Sequence, residues 1–319
     1  MRYIRKYMRT EVYLKLIYFL CQQLVISHWG GDTGDVRQEV FFDPFEEATG
    51  IEIVNVAGAM DYGKIKAMVD AGQPQWDIAN TAISAFFTLG SDYYETIDYE
   101  SDPVFESLIN QHPYASPELV ACEAIVYQTD IWEDGQGPQS WADFWDTEKF
   151  PGKRALGADG GVPWFTLEGA LLATGVPRSE VYPVDYEKAF AALDELEATG
   201  DLMVWESYAK GAQMLANKDV AMARMNVSPI WDMLTDGTLA VTFNEAICWT
   251  ESLHVVKGGN YDAAMQYMAF IADPERQAEF AEKAKVGPIN PEAFQFIPEN
   301  LAALLPGNPE QAGLVFEED

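Results

Sequence analysis

Short apolar strands and amphipathic helices alternate along this chain, and this alternation most constrains its fold. Residues 24–27, 51–56 and 76–79 have the length and composition of buried strands. Helical patterns separate them, and Asp61 stands where it can cap the second of these helices. Strands separated by helices indicate a parallel sheet covered on both faces. The sequence therefore predicts an α/β protein, and its 319 residues are enough for two domains.

The charge balance narrows the range of partners. The chain has 51 Asp and Glu against 20 Lys and Arg, a formal net charge of −31. Such a field repels nucleic acid and anionic lipid and attracts cations, although solubility in a saline habitat explains it equally well. The three cysteines and three histidines show no metal-binding spacing, so we expect no metal and no cofactor. No apolar run reaches the roughly 20 residues that span a bilayer.

The first 23 residues differ from the rest and resemble a secretory signal. A basic start containing Arg2, Arg5, Lys6 and Arg9 precedes a short apolar run that Lys15 interrupts. No small-residue cleavage site follows, so an altered or incorrectly assigned start is the alternative. We exclude residues 1–23 from the predicted fold.

Residues 246–256 form the most informative stretch, because they read as an extended segment. In a strand Trp249 and Glu251 point to the same face, so an indole and a carboxylate flank one space. This pair suits an ammonium ion, which both groups attract. The alternative is a core Trp and a solvated Glu.

The same stretch resembles a motif of the polyamine-binding proteins, the spermidine and putrescine receptors of bacterial ABC importers. Cys248-Trp249-Thr250-Glu251-Ser252-Leu253 fits that motif, with Glu where the family has Asp. The resemblance extends from about Leu24 to about Pro306. Its other pieces follow in order at residues 25–31, 45–51, 75–78, 140–145, 150–154 and 273–277.

The resemblance implies a two-lobe periplasmic-binding-protein fold of type II. Each lobe is then a mostly parallel sheet flanked by helices, and two crossing segments join the lobes. Residues 24–122 and 252–319 would form lobe 1, and residues 123–251 would form lobe 2. The family binds its solute between the lobes by hinge closure and delivers it to the permease subunits of the importer. These properties predict an exported, periplasmic monomer that is not an enzyme.

Seven residues are candidate ligand contacts at the crossings and strand ends. They are Trp29, Asp77, Glu123, Trp205, Glu206, Trp249 and Glu251. Each has a structural alternative: Glu123 could pair with a Lys or Arg, Asp77 could cap a helix, and Trp205 could be a core residue. Tyr127 and Trp231 are weaker candidates that we expect to pack. We expect Cys122 and Cys248 to be free buried thiols, although a disulfide is conceivable.

Departures from the family pattern leave the ligand open. Val162 and Phe165 stand near positions where the family has an Asp and a Glu, and Met225 replaces a Trp. A polyamine is the first prediction for the small cationic ligand. A solute with one cationic centre, such as a betaine, a choline-like or a thiamine-like molecule, is the main alternative, with Trp164 or Phe165 in an aromatic box. A hydrolase using two carboxylates is a further alternative, as is a receptor for a neutral or anionic solute, which would need an arginine that the sequence does not locate.

Overall fold

The computed structural model describes residues 23–58, 61–133, 135–161, 163–311 and 314–316. Residues 1–22 of the signal-like segment lie outside the described residues, as does Val162. Within the described part of the chain, no helix has both the length and the hydropathy that crossing a membrane requires.

Strands and helices alternate as the sequence predicts. The strands are β1 (Gln23–His28), β2 (Glu52–Ala57), β3 (Ile78–Ala82), β4 (Ser116–Gln128), β5 (Arg154–Gly157), β6 (Leu202–Trp205), β7 (Met222–Met225), β8 (Leu239–Val255) and β9 (Val315–Phe316). The α-helices are α1 (Gly31–Arg37), α2 (Asp43–Thr49), α3 (Tyr62–Asp70), α4 (Ser84–Leu89), α5 (Trp141–Trp145), α6 (Thr166–Ala173), α7 (Tyr186–Ala198), α8 (Tyr208–Ala216), α9 (Trp231–Thr235), α10 (Tyr261–Ile271), α11 (Pro274–Ala284) and α12 (Glu299–Ala302). The α/β prediction is confirmed.

The chain divides into two compact units, and each is built from separate segments. Unit 1 comprises the chain up to Leu119 with Thr250–Ala284 and Pro288–Ile297, and unit 2 comprises Val120–Trp249, Lys285–Gly287 and the chain from Pro298 onward. This division differs from the predicted lobes mainly at the C-terminal end, because the described residues from Pro298 onward belong to unit 2. The pairing of Val315 with Ile247 in β8 is one reason, since that part of β8 is itself in unit 2.

Unit 1 is a mixed sheet packed against helices. β1 pairs in parallel with β2 and β3, and β3 pairs antiparallel with the second half of β8. Asp61 caps α3 by accepting a hydrogen bond from the Lys64 N–H, as the sequence predicts. Phe41 packs against Phe280 of α11, with ring centroids 4.4 Å apart. Burial of these apolar faces is the main stabilising contribution in the unit.

Unit 2 has its own set of paired strands and its own core. β5 pairs in parallel with β6 and β7, and β7 pairs antiparallel with β4. The core lies between this sheet and helices α5, α6 and α7, with fully buried Trp141 and Phe144 at its centre. Three parallel strands therefore end at one edge of the sheet, which is where α/β proteins bind ligands.

Candidate functional site

In unit 1, Trp29 and Glu251 come from the same end of the sheet. Trp29 directly follows β1, and its side chain is 45% exposed. Glu251 of β8 pairs with Ala82, the last residue of β3. Since β1 and β3 are parallel, both residues lie at the carboxyl-terminal edge, the usual ligand-binding edge of such a sheet.

Glu251 forms an ion pair with a buried arginine that the sequence analysis missed. Arg37 Nη2 is 3.0 Å from Glu251 Oε2 and 2.6 Å from Glu118 Oε2. Arg37 Nε also donates to both oxygens of Glu118 at 3.0 Å, and the Asn80 amide donates to Glu118 at 2.9 Å. Arg37 and Glu118 are each 1% exposed, whereas the Glu251 side chain is 21% exposed. Glu251 is thus the member of this cluster that solvent or a solute can reach.

The cluster has one positive and two negative charges, and this affects how its members ionise. Burial alone lowers the pKa of Arg37, but Glu118 and Glu251 outweigh it and raise the pKa above its ordinary value. Burial raises the pKa of the Glu251 carboxyl above its ordinary value, and the charge of Glu118 adds to this while Arg37 opposes it. A cationic group beside Glu251 would remove the excess negative charge.

Asp77 holds three segments of unit 1 together. Its Oδ2 accepts a hydrogen bond from the Val25 N–H and its Oδ1 accepts one from the Asn260 N–H, each at 2.7 Å. Backbone N–H groups therefore occupy both carboxylate oxygens of Asp77. Asp77 is not the helix N-cap that the sequence analysis gave as its alternative role. This structural role differs from the ligand contact that the sequence suggested, so we leave Asp77 out of the candidate site.

In unit 2, the ends of β5, β6 and β7 bring Gly157, Trp205 and Arg224 together. Arg224 Cζ lies 4.7 Å from the centre of the Trp205 ring, and the Trp205 indole donates to the Arg224 carbonyl at 3.2 Å. A Cβ on Gly157 would lie 1.7 Å from Arg224 Nη2, so only glycine leaves room for the guanidinium. Trp205 is fully buried and supports Arg224 from one face, while the neighbouring Glu206 is exposed.

Glu123 adopts the alternative that the sequence left open. Its Oε2 is 2.7 Å from Arg224 Nη1, and its Oε1 accepts a hydrogen bond from the Tyr208 hydroxyl at 2.6 Å. Both charged side chains are at most 1% exposed. The Glu123 charge is therefore balanced by Arg224 inside the protein, and the structure does not leave it facing solvent as a carboxylate for an ammonium group.

Trp249 forms a parallel stack with Phe165. The ring centroids are 4.5 Å apart and the planes are inclined by 14°. Phe165 has φ of 60°, a left-handed conformation that is unfavourable for a bulky side chain and is often found at functional sites. Within β8, Trp249 and Glu251 are partly exposed while Thr250 between them is buried, as strand alternation predicts.

Cys122 and Cys248 form a disulfide, so the expectation of two free thiols is wrong. The two cysteines are 126 residues apart and belong to β4 and β8. Sequence gives no distance between such residues, which is why pairing could not be predicted. A structural disulfide is typical of proteins that fold in an oxidising compartment.

The arginines are the residues that sequence reasoning missed, although a signal was present. Arg224 interrupts the apolar strand Met222–Met225, and a charge in such a strand must be paired. Glu123 interrupts an apolar stretch of β4 in the same way. Arg224 and Glu123 each need a partner of opposite charge, so the sequence makes them candidates for an ion pair. Tyr127, by contrast, packs in the core, as expected.

The donor set does not suggest a metal centre. Among the residues that the structure describes, no group of three or more His, Cys, Asp or Glu side chains is arranged to hold a metal ion. The candidate residues of each unit are instead aromatic rings and arginine–glutamate pairs, groups that bind small charged organic molecules.

Comparisons with known proteins identify similar sequences and structures. Residues 41–304 match the family of bacterial extracellular solute-binding proteins. The chain is 32% identical over 301 residues to the gamma-aminobutyric acid-binding protein of Pseudomonas aeruginosa, covering 90% of this chain and 83% of that protein. Its structure resembles the Atu4243 GABA receptor with a TM-score of 0.80 and 28% identity, covering 93% of this chain and 92% of that one.

A third similarity concerns an ABC transporter substrate-binding protein from Bradyrhizobium japonicum, at 29% identity with a TM-score of 0.80 over 93% of each chain. These matches confirm the predicted periplasmic-binding-protein fold. Two of these three relatives are named for γ-aminobutyrate, whereas the sequence motif resembled polyamine receptors. The family match and the 32% identical relative together establish that the chain belongs to the bacterial extracellular solute-binding protein family, as a solute-binding protein of an ABC transporter.

Proposed function

We propose that this protein is an exported, periplasmic receptor for a small amino-acid-like solute with one ammonium and one carboxylate group. γ-Aminobutyrate is the first candidate, because two relatives are named for it. The protein would bind the solute unchanged and deliver it to the permease subunits of an ABC importer.

The observation that carries this proposal is the pairing of two of the four candidate carboxylates, Glu123 and Glu251, with buried arginines. Glu251 is 3.0 Å from Arg37, and Glu123 is 2.7 Å from Arg224. A polyamine needs a free carboxylate for each of its ammonium groups, and Glu123 is neutralised by its partner. The Arg37 cluster keeps one excess negative charge and the Glu123–Arg224 pair keeps none, so one ammonium group fits these charges better than two.

Glu251 is the proposed partner of the ammonium group. Its carboxylate is partly exposed, lies at the carboxyl-terminal edge of the unit 1 sheet, and is close to a second buried carboxylate, Glu118. An ammonium group there receives a charge-assisted hydrogen bond and relieves the repulsion between the two glutamates. The exposed indole of Trp29 is available at the same edge for a cation–π contact.

Arg224 is the proposed partner of the carboxylate group. It is positioned at the strand ends of unit 2 by the Trp205 ring and by Glu123. Among the described residues, no acceptor bonds to Arg224 Nε, although this atom is buried. Buried donors without an acceptor are uncommon, and a ligand oxygen is one way to satisfy this one. The Trp249–Phe165 stack supplies an apolar surface for the methylene groups.

A set of four-carbon solutes tests the proposal most sharply. γ-Aminobutyrate has both charged groups, butyrate and butylamine each have one, and putrescine has two ammonium groups. We expect γ-aminobutyrate to raise the melting temperature, since a ligand at 100 times its Kd stabilises the folded state by about 2.7 kcal/mol. Butyrate and butylamine should have little effect. Binding of putrescine without γ-aminobutyrate would refute the proposal and favour the polyamine prediction.

Two conservative variants assign the ends of the solute. Glu251→Gln should weaken γ-aminobutyrate binding by about 1.5–3 kcal/mol, the usual contribution of a hydrogen bond to a charged group. Arg224→Lys keeps the charge but removes Nε and the planar geometry, so it should weaken binding as well. Glu195→Gln, at an exposed position of α7 outside the candidate residues, is the matched control and should bind like the wild type. Calorimetry that finds Glu251→Gln unchanged would remove Glu251 from the site.

A further inference from the structure

The two cysteines of the disulfide are adjacent in sequence to Glu123 and Trp249, and each of these contacts another candidate residue. Cys122 immediately precedes Glu123 in β4, and Cys248 immediately precedes Trp249 in β8. Both cysteines are at most 1% exposed. The division between the two units falls within three residues of each cysteine, at Val120 in β4 and at Trp249 in β8.

Strand geometry connects the cross-link to those neighbours. Successive side chains in a strand point to opposite faces, so Glu123 and Trp249 both leave their strands on the face opposite to the disulfide. Glu123 contacts Arg224 and Tyr208, and Trp249 stacks on Phe165. The separation of the two strands at the disulfide therefore also sets the separation of these two groups.

β4 and β8 are hydrogen-bonded neighbours in the sheet, and two further strands hold part of this arrangement. β7 holds β4 from Ala124 onward, starting one residue after Glu123. β9 pairs with β8 at Cys248 and comes from the end of the chain. The disulfide is the covalent link between the strand that positions Arg224 through Glu123 and the strand that carries Trp249.

We infer that the Cys122–Cys248 disulfide is a positioning element of the solute site: it holds Glu123 and Trp249, and through them Arg224 and Phe165, in the arrangement that binds solute. A binding constellation works only when its groups are held within about 0.5 Å of their productive positions. Loss of the cross-link would leave every contacting side chain present but less well ordered, and affinity would fall because order must be restored on binding. This inference rests on the proposed function for its affinity measurement.

The experiment compares the double variant Cys122→Ala/Cys248→Ala with a control of similar stability. Leu171→Ala truncates a buried residue of the unit 2 core and leaves the disulfide intact. Both proteins are measured by calorimetry with γ-aminobutyrate at a temperature where each is fully folded. We expect the Kd of the double variant to rise by about tenfold or more, as for other residues that orient a binding group, and that of Leu171→Ala to stay within about twofold.

Near-ultraviolet circular dichroism gives a second readout that needs no ligand. The Trp249–Phe165 stack should contribute a band that is weakened in the double variant and retained in Leu171→Ala. If the double variant does not fold, wild-type protein refolded under reductant replaces it, because its thiols preserve the core volume, and reoxidation should restore both band and affinity.

The outcomes separate the two proposals. Wild-type affinity and an intact band in the protein without the disulfide would overturn the inference, as would an equal loss of affinity in Leu171→Ala. If the oxidised wild type does not bind any solute with both charged groups, the proposed function fails. In that case the circular dichroism band, which needs no ligand, is the remaining test of whether the disulfide positions these residues.

Discussion

Glu118 and Glu251 share Arg37 as a partner, but replacing each with Gln should change the stability of the protein by different amounts. Glu118 has both oxygens bonded to Arg37, at 2.6 to 3.0 Å, accepts a further bond from Asn80, and is 1% exposed. Glu251 has one contact with Arg37 at 3.0 Å and is 21% exposed. Replacing each with Gln keeps the side-chain shape and removes only the charge.

The expected changes in the free energy of unfolding depend on which negatively charged partner Arg37 keeps in each variant. Breaking a buried ion pair costs about 3–5 kcal/mol, and since Glu251 remains as a counter-charge we expect about 3 kcal/mol for Glu118→Gln. That corresponds to a fall in melting temperature of about 6–12 °C, at roughly 2–4 °C per kcal/mol. Glu251→Gln loses one charged hydrogen bond but also removes repulsion and a desolvated charge, so the free energy of unfolding should change by less than about 1 kcal/mol.

The pH dependence gives an independent check on Glu251. Its folded-state pKa is raised above the ordinary value of 4.5, so its contribution to stability is fully present below 4.5 and is lost as the pH rises through the folded pKa. The stability of Glu251→Gln relative to the wild type should therefore increase as the pH rises from about 4.5.

Urea unfolding of the two variants and the wild type is followed by circular dichroism at several pH values. It measures the change in unfolding free energy for each variant and the pH dependence of the Glu251→Gln effect. Binding measured in parallel should be weakened by Glu251→Gln although its stability is preserved. The reasoning would be wrong if Glu251→Gln destabilised the protein as much as Glu118→Gln did.

Three further predictions concern single residues. Gly157→Ala should weaken solute binding by at least about tenfold, because its Cβ would displace Arg224, and calorimetry measures this. His254 is fully buried, and burial lowers its pKa to about 4. Its contribution to stability is therefore full above about pH 6.5 and is lost as the pH falls toward 4. This pH dependence of urea unfolding should disappear in His254→Asn. Phe165→Gly relieves a left-handed backbone but removes the stack, so we expect Trp249 fluorescence to shift to the red with little change in melting temperature.

Each of these has a control or a contrary outcome. His112→Asn removes the smallest of the effects that shift the His254 pKa, so it should reduce the pH dependence of unfolding only slightly. Wild-type affinity in Gly157→Ala would mean that Arg224 does not contact the solute. An unchanged emission spectrum in Phe165→Gly would mean that the stack does not shield Trp249 in solution.

Local patterns were sufficient to predict much of the fold. Residues 24–27 were expected as a strand and lie within Gln23–His28, and Asp61 was expected to cap the helix that it caps. Hydrophobic periodicity and capping chemistry act over a few residues, so a single sequence contains them. The α/β class and the family-level fold followed from these patterns and from the order of the motifs.

The candidate site was less predictable because its contacts are distant in sequence. Arg37 and Glu251 are 214 residues apart, and the cysteines are 126 residues apart. A pattern can show that Glu123 needs a partner in an apolar strand, but only the fold brings Arg224 to it. The ligand contacts of Trp29, Trp249, Glu206 and Glu251 stay predictions until a solute is bound.

The segmented composition of unit 1 has a consequence for the order in which the protein assembles. Asp77 joins Val25 to Asn260, and β3 requires β8 as its neighbour, so the N-terminal segment emerges long before its last partners are synthesised. Closing so long a connection is entropically unfavourable, but less so once the intervening residues have become compact. Unit 2 and its cross-link bring positions 120 and 249 into one folded body, and that shortens the effective connection. Residues 120–249 are thereby favoured to fold first. The later segments of unit 1 then join its N-terminal segment, and the C-terminal segment of unit 2 is added last.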